Sequence, residues 1–313
     1  MKRALTIVAA MLAALVASGA ANAQAFRAYL ASYGNDANPC TAAAPCRLLP
    51  AALNAVADGG QVWILDSANF NQGTINVTKS VSILAIPGAV GSVVAVGGAP
   101  AMSIGVASLK VGLRNLVFAN NALSPGTDGV VVTAGSRVSL EGCLLENLPG
   151  TGVRVAGQGA TVNIENTTFR DMGGGSVSAA VGAKVSVVAS RMLGGVPAIF
   201  AAAASAGTAS ISVVDSTIAG GDTEQDGISV DSSASNGNAL IDVSRSSVLN
   251  SGTALRAWST FGNAIITVSG SIIANNQCAF AINGSGAAVQ SFGNNHFSNN
   301  FCEGGALTQA PLR

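Results

Sequence analysis

The stretch Val138-Ser-Leu-Glu-Gly-Cys-Leu-Leu-Glu-Asn147, followed by Gly152-Val-Arg-Val155, decides the fold. Apolar residues hold its first, third and eighth places, a small residue its sixth and Asn its tenth. The unit starts again at Val111, Val162, Val185, Ile211, Ile241 and Ile266, and a looser copy ends at Phe297 and Asn299. Its sixth place reads Leu116, Cys143, Thr167, Ser190, Ser216, Ser246 and Ser271. A shorter apolar run follows most copies, as at Gly129-Val-Val-Val132, Gly227-Ile-Ser-Val230 and Ala254-Leu-Arg-Ala257.

Within each piece the apolar period is two, which is the signature of a strand. A strand-turn-strand unit repeated at long range is the mark of a stacked solenoid, because one unit cannot bury its own apolar face. Successive starts lie 23 to 30 residues apart. That variation excludes the strict short period of leucine-rich or hexapeptide repeats and fits coils that swell at their turns. The spacing therefore predicts an all-β, single-domain, right-handed parallel β-helix of about nine or ten coils, roughly 45 Å long at one strand spacing per coil. Asn120, Asn147, Asp171, Asn250, Asn275 and Asn299 are expected at a turn, bridging backbone between coils, since Asn and Asp accept left-handed geometry and bond nearby backbone.

Composition narrows the partners. Only 10% of residues are charged, Lys+Arg and Asp+Glu balance at 15 each, and 49% are hydrophobic. The apolar content excludes a disordered chain. With no basic stripe interleaved with aromatics, nucleic acid is not an expected partner. Residues 1–23 read as a bacterial-type signal peptide: Lys2-Arg3, an apolar core from Ala4 to Val16 too short to span a bilayer, and Ala21-Asn-Ala23 before the cut. Residues 24–305 form the expected β-helix domain and 306–313 a tail, with no transmembrane segment in the mature chain. The predicted location is periplasmic or secreted. Exported cysteines point to disulfides. Cys40 and Cys46 bracket a short Pro-containing loop, and Cys278 and Cys302 lie about one coil apart. Cys143 falls at an inward place. No Cys-x-x-Cys spacing occurs and His296 is the sole histidine, so neither metal nor cofactor is expected.

From Phe26 to Pro50 the chain reads as a loop, then Leu49 to Ala57 as a short amphipathic helix stopped by Asp58-Gly-Gly60, with the first strand at Val62 to Leu65. The run Tyr33-Gly-Asn-Asp-Ala-Asn-Pro-Cys40, Ala44-Pro-Cys-Arg47, the helix, Gly59-Gly-Gln-Val-Trp-Ile-Leu65 and Lys79-Ser-Val-Ser-Ile83 resembles the leading segment of secreted bacterial proteins with the pectin-lyase-like right-handed β-helix. The resemblance covers this segment and, more loosely, all later coils. It implies that the helix caps the first coil. It is specific for fold and says little of function, because that superfamily includes lyases, hydrolases, esterases, epimerases and non-enzymatic members.

Strand alternation predicts which side chains face out. One outward row of the long strands is Gly112, Ser139, Asn163, Ser186, Ser212, Asp242 and Thr267; the next is Arg114, Glu141, Glu165, Val188, Val214, Ser244 and Ser269. Arg114, Glu141 and Glu165 thus fall on consecutive coils, and neighbouring carboxylates can do acid-base work on sugars. The plain alternative is a solvated ladder of mixed charge. Glu146 and Arg170 are expected to pair on the surface. Thr127-Asp-Gly129 and Gln225-Asp-Gly227 echo the first motif of polygalacturonases, but the rest of that set is missing. The two aspartates fall four coils apart, about 19 Å, whereas paired glycosidase carboxylates need about 5 to 10 Å. Arg154 and Arg256 are expected outward without acids on adjacent coils, unlike the calcium sites of pectate lyases. Trp63 is predicted inward or capping, and Trp258 and Phe261 in a turn as candidates for ligand stacking. The leading reading is an exported non-catalytic protein that binds polysaccharide or another cell-surface partner. The alternative is a polysaccharide lyase or glycoside hydrolase with Arg114, Glu141 and Glu165 as its site, and a third reading is a structural envelope protein.

Overall fold

Alternating apolar residues force strands, and strands too short to stand alone must stack. The computed structural model, which describes residues 24–220 and 225–310, is a right-handed parallel β-solenoid of about 10 turns. The expected leader and the last three residues lie outside the described residues. Each middle coil has three strands. Lys110–Arg114, Arg137–Glu141, Thr161–Glu165 and Lys184–Val188 stack as a first wall. Leu116–Asn120, Leu144–Glu146, Thr168–Arg170 and Arg191–Leu193 form a second, part of a separate 10-stranded sheet. Val130–Val132, Val153–Val155, Val177–Ala179 and Ile199–Ala203 form a third. Further on, Ile228–Ser244 and Thr253–Ser269 run through the third and first walls as single strands.

The repeat places behave as their chemistry requires. First and third places point inward: Val138, Leu140, Val162, Ile164, Val185 and Val187 are all buried. Between the first and second walls one residue turns the chain in the left-handed region: Asn115, Gly142, Asn166, Ala189, Asp215, Arg245 and Gly270. The next residue is the sixth place of the repeat, and it builds a ladder. The amides of Thr167, Ser190, Ser216 and Ser246 donate to Ser190, Ser216, Ser246 and Ser271 Oγ of the following coil, each at 3.1 Å. Each serine hydroxyl then donates across its own turn, Ser190 to Val188 O, Ser216 to Val214 O and Ser246 to Ser244 O, all at 2.8 Å. Cys143, 3% exposed, takes this inward place as expected, and burial pushes its thiol up to about 11.

The tenth-place residues differ from expectation. Asn147, Asp171, Asn250, Asn275 and Asn299 are left-handed, but Asn120 is not; its Oδ1 accepts the Gly126 amide instead. Bonding from side chain to backbone between coils falls one residue later, where Asn276 Oδ1 accepts the Ser251 amide and Asn300 Oδ1 the Asn276 amide, while at the tenth place Asn299 Nδ2 donates to Asn275 Oδ1. These five left-handed residues are exposed, and the residue that follows each one faces the next coil.

A short helix covers the N-terminal end. The helix spans Leu49–Ala55 and lays Leu49, Ala52 and Leu53 over the first coil, as the resemblance implies. It stops earlier than predicted, because the first full strand already starts at Val56 and runs to Ile64. The segment read as a loop contains the strand Ala25–Leu30, paired in parallel with it. Disulfides join Cys40 to Cys46 and Cys278 to Cys302, with Cα atoms 4.6 and 4.5 Å apart. The second pair is in direct register between coils. Thr308–Gln309 adds a strand beside Gln290 and Ser291 and Ala310 is buried, so the solenoid extends past the expected boundary at 305.

Replacing Ser216 with Ala removes the acceptor of the Ser190 amide and leaves a buried donor unpaired. The expected cost is about 1–3 kcal/mol, read as a lower denaturant midpoint, and Ser216→Thr should keep most of it.

Candidate functional site

Register determines which outward side chains meet. On the first wall both predicted rows hold: Glu141 lies beside Arg114 on one side and Glu165 on the other, and Ser139, Asn163, Ser186, Ser212, Asp242 and Thr267 follow one another coil by coil. Arg114 Nε donates to Glu141 Oε2 at 2.9 Å, with the two side chains 61% and 49% exposed. This is a solvated ion pair on an open wall, of the kind that contributes little. Glu165 is exposed one strand spacing further on. Glu146 and Arg170 approach to 3.8 Å, as expected.

Trp63 is not inward. Val62 and Ile64 are the inward pair of its strand, so Trp63 faces out beside Tyr29 and Leu84. The Arg27 guanidinium lies 3.9 Å from its ring centroid, and Trp63 Nε1 donates to Gln61 Oε1.

The third wall corrects a second expectation. Arg154 and Arg256 do have acids on the adjacent coil. Arg154 Nε and Nη2 donate to Asp128 Oδ2 at 3.1 and 2.8 Å, and Asp128 Oδ1 accepts the Thr151 amide at 2.7 Å. Arg256 Nη1 donates to Asp226 Oδ2 at 2.9 Å. The contact was missed because it is diagonal. Each aspartate precedes its strand, whereas the arginine that reaches it lies mid-strand one coil on, so a same-row comparison skips the pair. The Asp-Gly-apolar step followed about one coil later by apolar-Arg-apolar, present twice, was the available signal.

Around Arg256 the wall becomes chemically rich. Trp258 lies on the strand, not in a turn, and is 40% exposed. Register places it between Asp231 on the coil before and Asn283 on the coil after. The Arg256 guanidinium is 5.2 Å from its ring centroid. Phe261, 58% exposed, follows where a bulge disturbs the register and brings it opposite Ser233. This patch combines an apolar ring held on a rigid strand with a carboxylate, an amide and a guanidinium at fixed distances from it. Among the described residues no group of three or more His, Cys, Asp or Glu is placed to hold a metal ion, and His296 is exposed at the far end.

Asp242 stands apart among the carboxylates. Desolvation beside the half-buried Leu240 and Ile265 raises its carboxyl above the ordinary value. Asp215 is the reverse case: the hydrogen bond from Arg245 lowers it.

These walls define the class: a parallel β-helix with polar, largely neutralised faces. The chain belongs to the family described as right handed beta helix region, whose model matches residues 105–262, half of the chain. In fold it is similar to a pectate lyase, Pel9A, with 15% identity over 92% of this chain and 78% of that one at a TM-score of 0.57. It is also similar to an endo-xylogalacturonan hydrolase from Aspergillus tubingensis, with 12% identity over 92% of this chain and 100% of that one at a TM-score of 0.52. At these identities the likeness is one of fold alone. No curated protein matches the sequence. No helix among the described residues is long and apolar enough to cross a membrane.

Two outcomes follow. Arg154→Met strands the nearly buried Asp128 carboxylate and should cost about 1–3 kcal/mol; adding Asp128→Asn should recover part of it in a denaturant titration. Asp242 carries a raised value in the folded state, so its contribution is present at low pH and lost as pH rises through that value. Asp242→Asn should therefore raise the thermal midpoint at neutral pH, with the gain shrinking as pH falls through the raised value and gone once pH is below the ordinary carboxyl value of about 4.

Proposed function

We propose that the protein is exported and binds polysaccharide without cleaving it, through the third wall around Trp258. The observation that carries this reading is the row Asp231, Trp258, Asn283, one residue per coil, with Arg256 beside it. A pyranose ring offers an apolar C–H face and a rim of hydroxyls. An exposed indole suits the first, and a carboxylate, an amide and a guanidinium one strand spacing away suit the second. Phe261 extends the apolar surface. The carbohydrate-acting names of the two structural neighbours are consistent with such a ligand. Two disulfides suit an oxidising compartment outside the cytoplasm.

The lack of turnover in this reading rests on charge pairing. Asp128, Asp226 and Glu141 each hold an arginine, so these carboxylates are already engaged within the walls. Asp128 and Asp226 are also four coils apart, about 19 Å, well beyond a glycosidase pair. The enzymatic reading keeps one specific observation: Glu165 follows Glu141 by one strand spacing, about 4.8 Å, near the separation of a retaining pair.

Neutral and acidic polysaccharides, titrated against the purified protein with and without calcium, separate these readings. We expect heat of binding with no new reducing or unsaturated ends, and a loss of affinity of about tenfold for Trp258→Ala, the scale of an aromatic stacking contact of about 1 kcal/mol or more. Product formation that disappears in a Glu141→Gln, Glu165→Gln variant of unchanged melting temperature would establish the enzyme instead.

A further inference from the structure

The first wall carries a feature that the third-wall reading does not use. Its outward rows line two recesses, of about 570 Å³ and 530 Å³, that meet at Asn163 and so form one groove along the solenoid axis. The recess nearer the N-terminal cap is lined by Ser80, Ser82, Lys110, Arg137 and Ser139. The other is lined by Lys184, Ser186, Ser212, Leu240, Asp242 and Ile265, among others.

The rim is charged in one sense. Lys110, Arg137, Thr161 and Lys184 are register neighbours on four successive coils, and all three cations are exposed. None of the three is in a salt bridge among the described residues, whereas Arg114, Arg154, Arg170, Arg245 and Arg256 all are. On the same strands the acids, Glu141 held by Arg114 and Glu165, stand two outward rows away. Past Lys184 the same row continues as Ser210, Leu240 and Ile265, so the groove turns from cationic to apolar along its length. From Lys110 to Ile265 is six strand spacings, about 29 Å. A compact solute would fill one end only; an extended chain would fill the whole.

We infer that this groove is a second binding site, for an extended anionic glycan whose carboxylates or sulfates meet Lys110, Arg137 and Lys184 and whose ring faces lie on Leu240 and Ile265. Unpaired cations at a recessed site raise the local concentration of a polyanion, and the Ser82, Ser139, Asn163, Ser186 and Ser212 row supplies donors and acceptors for hydroxyls. A nucleic acid fits less well, because no aromatic side chain interrupts these rows between Lys110 and Gln290 to stack a base. The inference extends the glycan-binding reading but depends on different residues from those around Trp258.

The test titrates the whole protein with a polyuronate, a dextran sulfate, neutral dextran and single-stranded DNA at low and high salt. We expect at least one anionic glycan to bind with an affinity that falls as salt rises, the polyuronate and sulfate arms telling carboxylate from sulfate recognition. The Lys110→Gln, Arg137→Gln, Lys184→Gln variant should lose about tenfold or more, and Lys184→Glu alone should also weaken binding. Asp242→Asn should tighten binding at neutral pH by removing the acid at the groove floor, while Arg170→Gln, which removes an exposed cation from the second wall, leaves it unchanged. Anionic glycan binding that survives the triple variant would overturn the inference. So would loss on Trp258→Ala alone, which would leave the third-wall reading intact, and so would tighter, competing binding of the DNA.

Discussion

Between the middle coils, the amide that follows the left-handed turn residue is held by a hydroxyl of the next coil, and the rest of the molecule depends on that bond. A solenoid can slip, because every coil resembles its neighbour and a shift of one residue would turn apolar side chains outward. The ladder through Thr167, Ser190, Ser216, Ser246 and Ser271 opposes such a slip. Each hydroxyl both accepts from the coil before and donates to the carbonyl two residues back. At that corner the amide takes a side-chain acceptor, while the carbonyl keeps its backbone bond to the next coil, as Thr167 O accepts from the Arg191 amide and Ser190 O from the Thr217 amide. At the final coil Asn295 takes over, its Oδ1 accepting the Ser271 amide at 2.9 Å.

With the register locked, rows of side chains become fixed arrays about 4.8 Å apart. This is how a chain with so little charge makes usable surfaces. Asp231, Trp258 and Asn283 come from three coils yet lie side by side, and Lys110, Arg137 and Lys184 share one rim. These arrays stand on strands and not on loops, so the proposed binding of an extended ligand would cost little conformational entropy. The same stacking sets arginines over acids, at Asp128–Arg154 and Asp226–Arg256.

Much of this was legible in the residues. Alternation of two, read through the V-x-L-x-x-S-x-I-x-N unit, placed the inward residues and both outward rows correctly, because period and register are the same fact in a parallel stack. The spacing of Cys278 and Cys302 matched one coil for the same reason. Other features rest on offsets that alternation does not carry. The diagonal reach of Arg154 to Asp128 depends on side-chain length. The strand Ala25–Leu30 has few apolar residues outside its inward places and pairs with a strand more than thirty residues on. Trp63 is large and apolar, yet its neighbours Val62 and Ile64 claim the interior. Ser259-Thr260 and Gly262 after Trp258 are residue types that favour turns, yet Thr253–Ser269 runs on as one strand with Gly262 left-handed within it. The groove emerges only when several coils are seen together, since no single copy of the repeat contains it.

Hydrogen exchange of the protein with and without a bound neutral polysaccharide, read by mass spectrometry together with the length of the recovered polymer, tests the central claim most directly. The account predicts added protection in the segments around Asp231, Trp258 and Asn283, with the polymer recovered at its original length. Protection centred instead on Arg114, Glu141 and Glu165, with a shortened polymer, would contradict it.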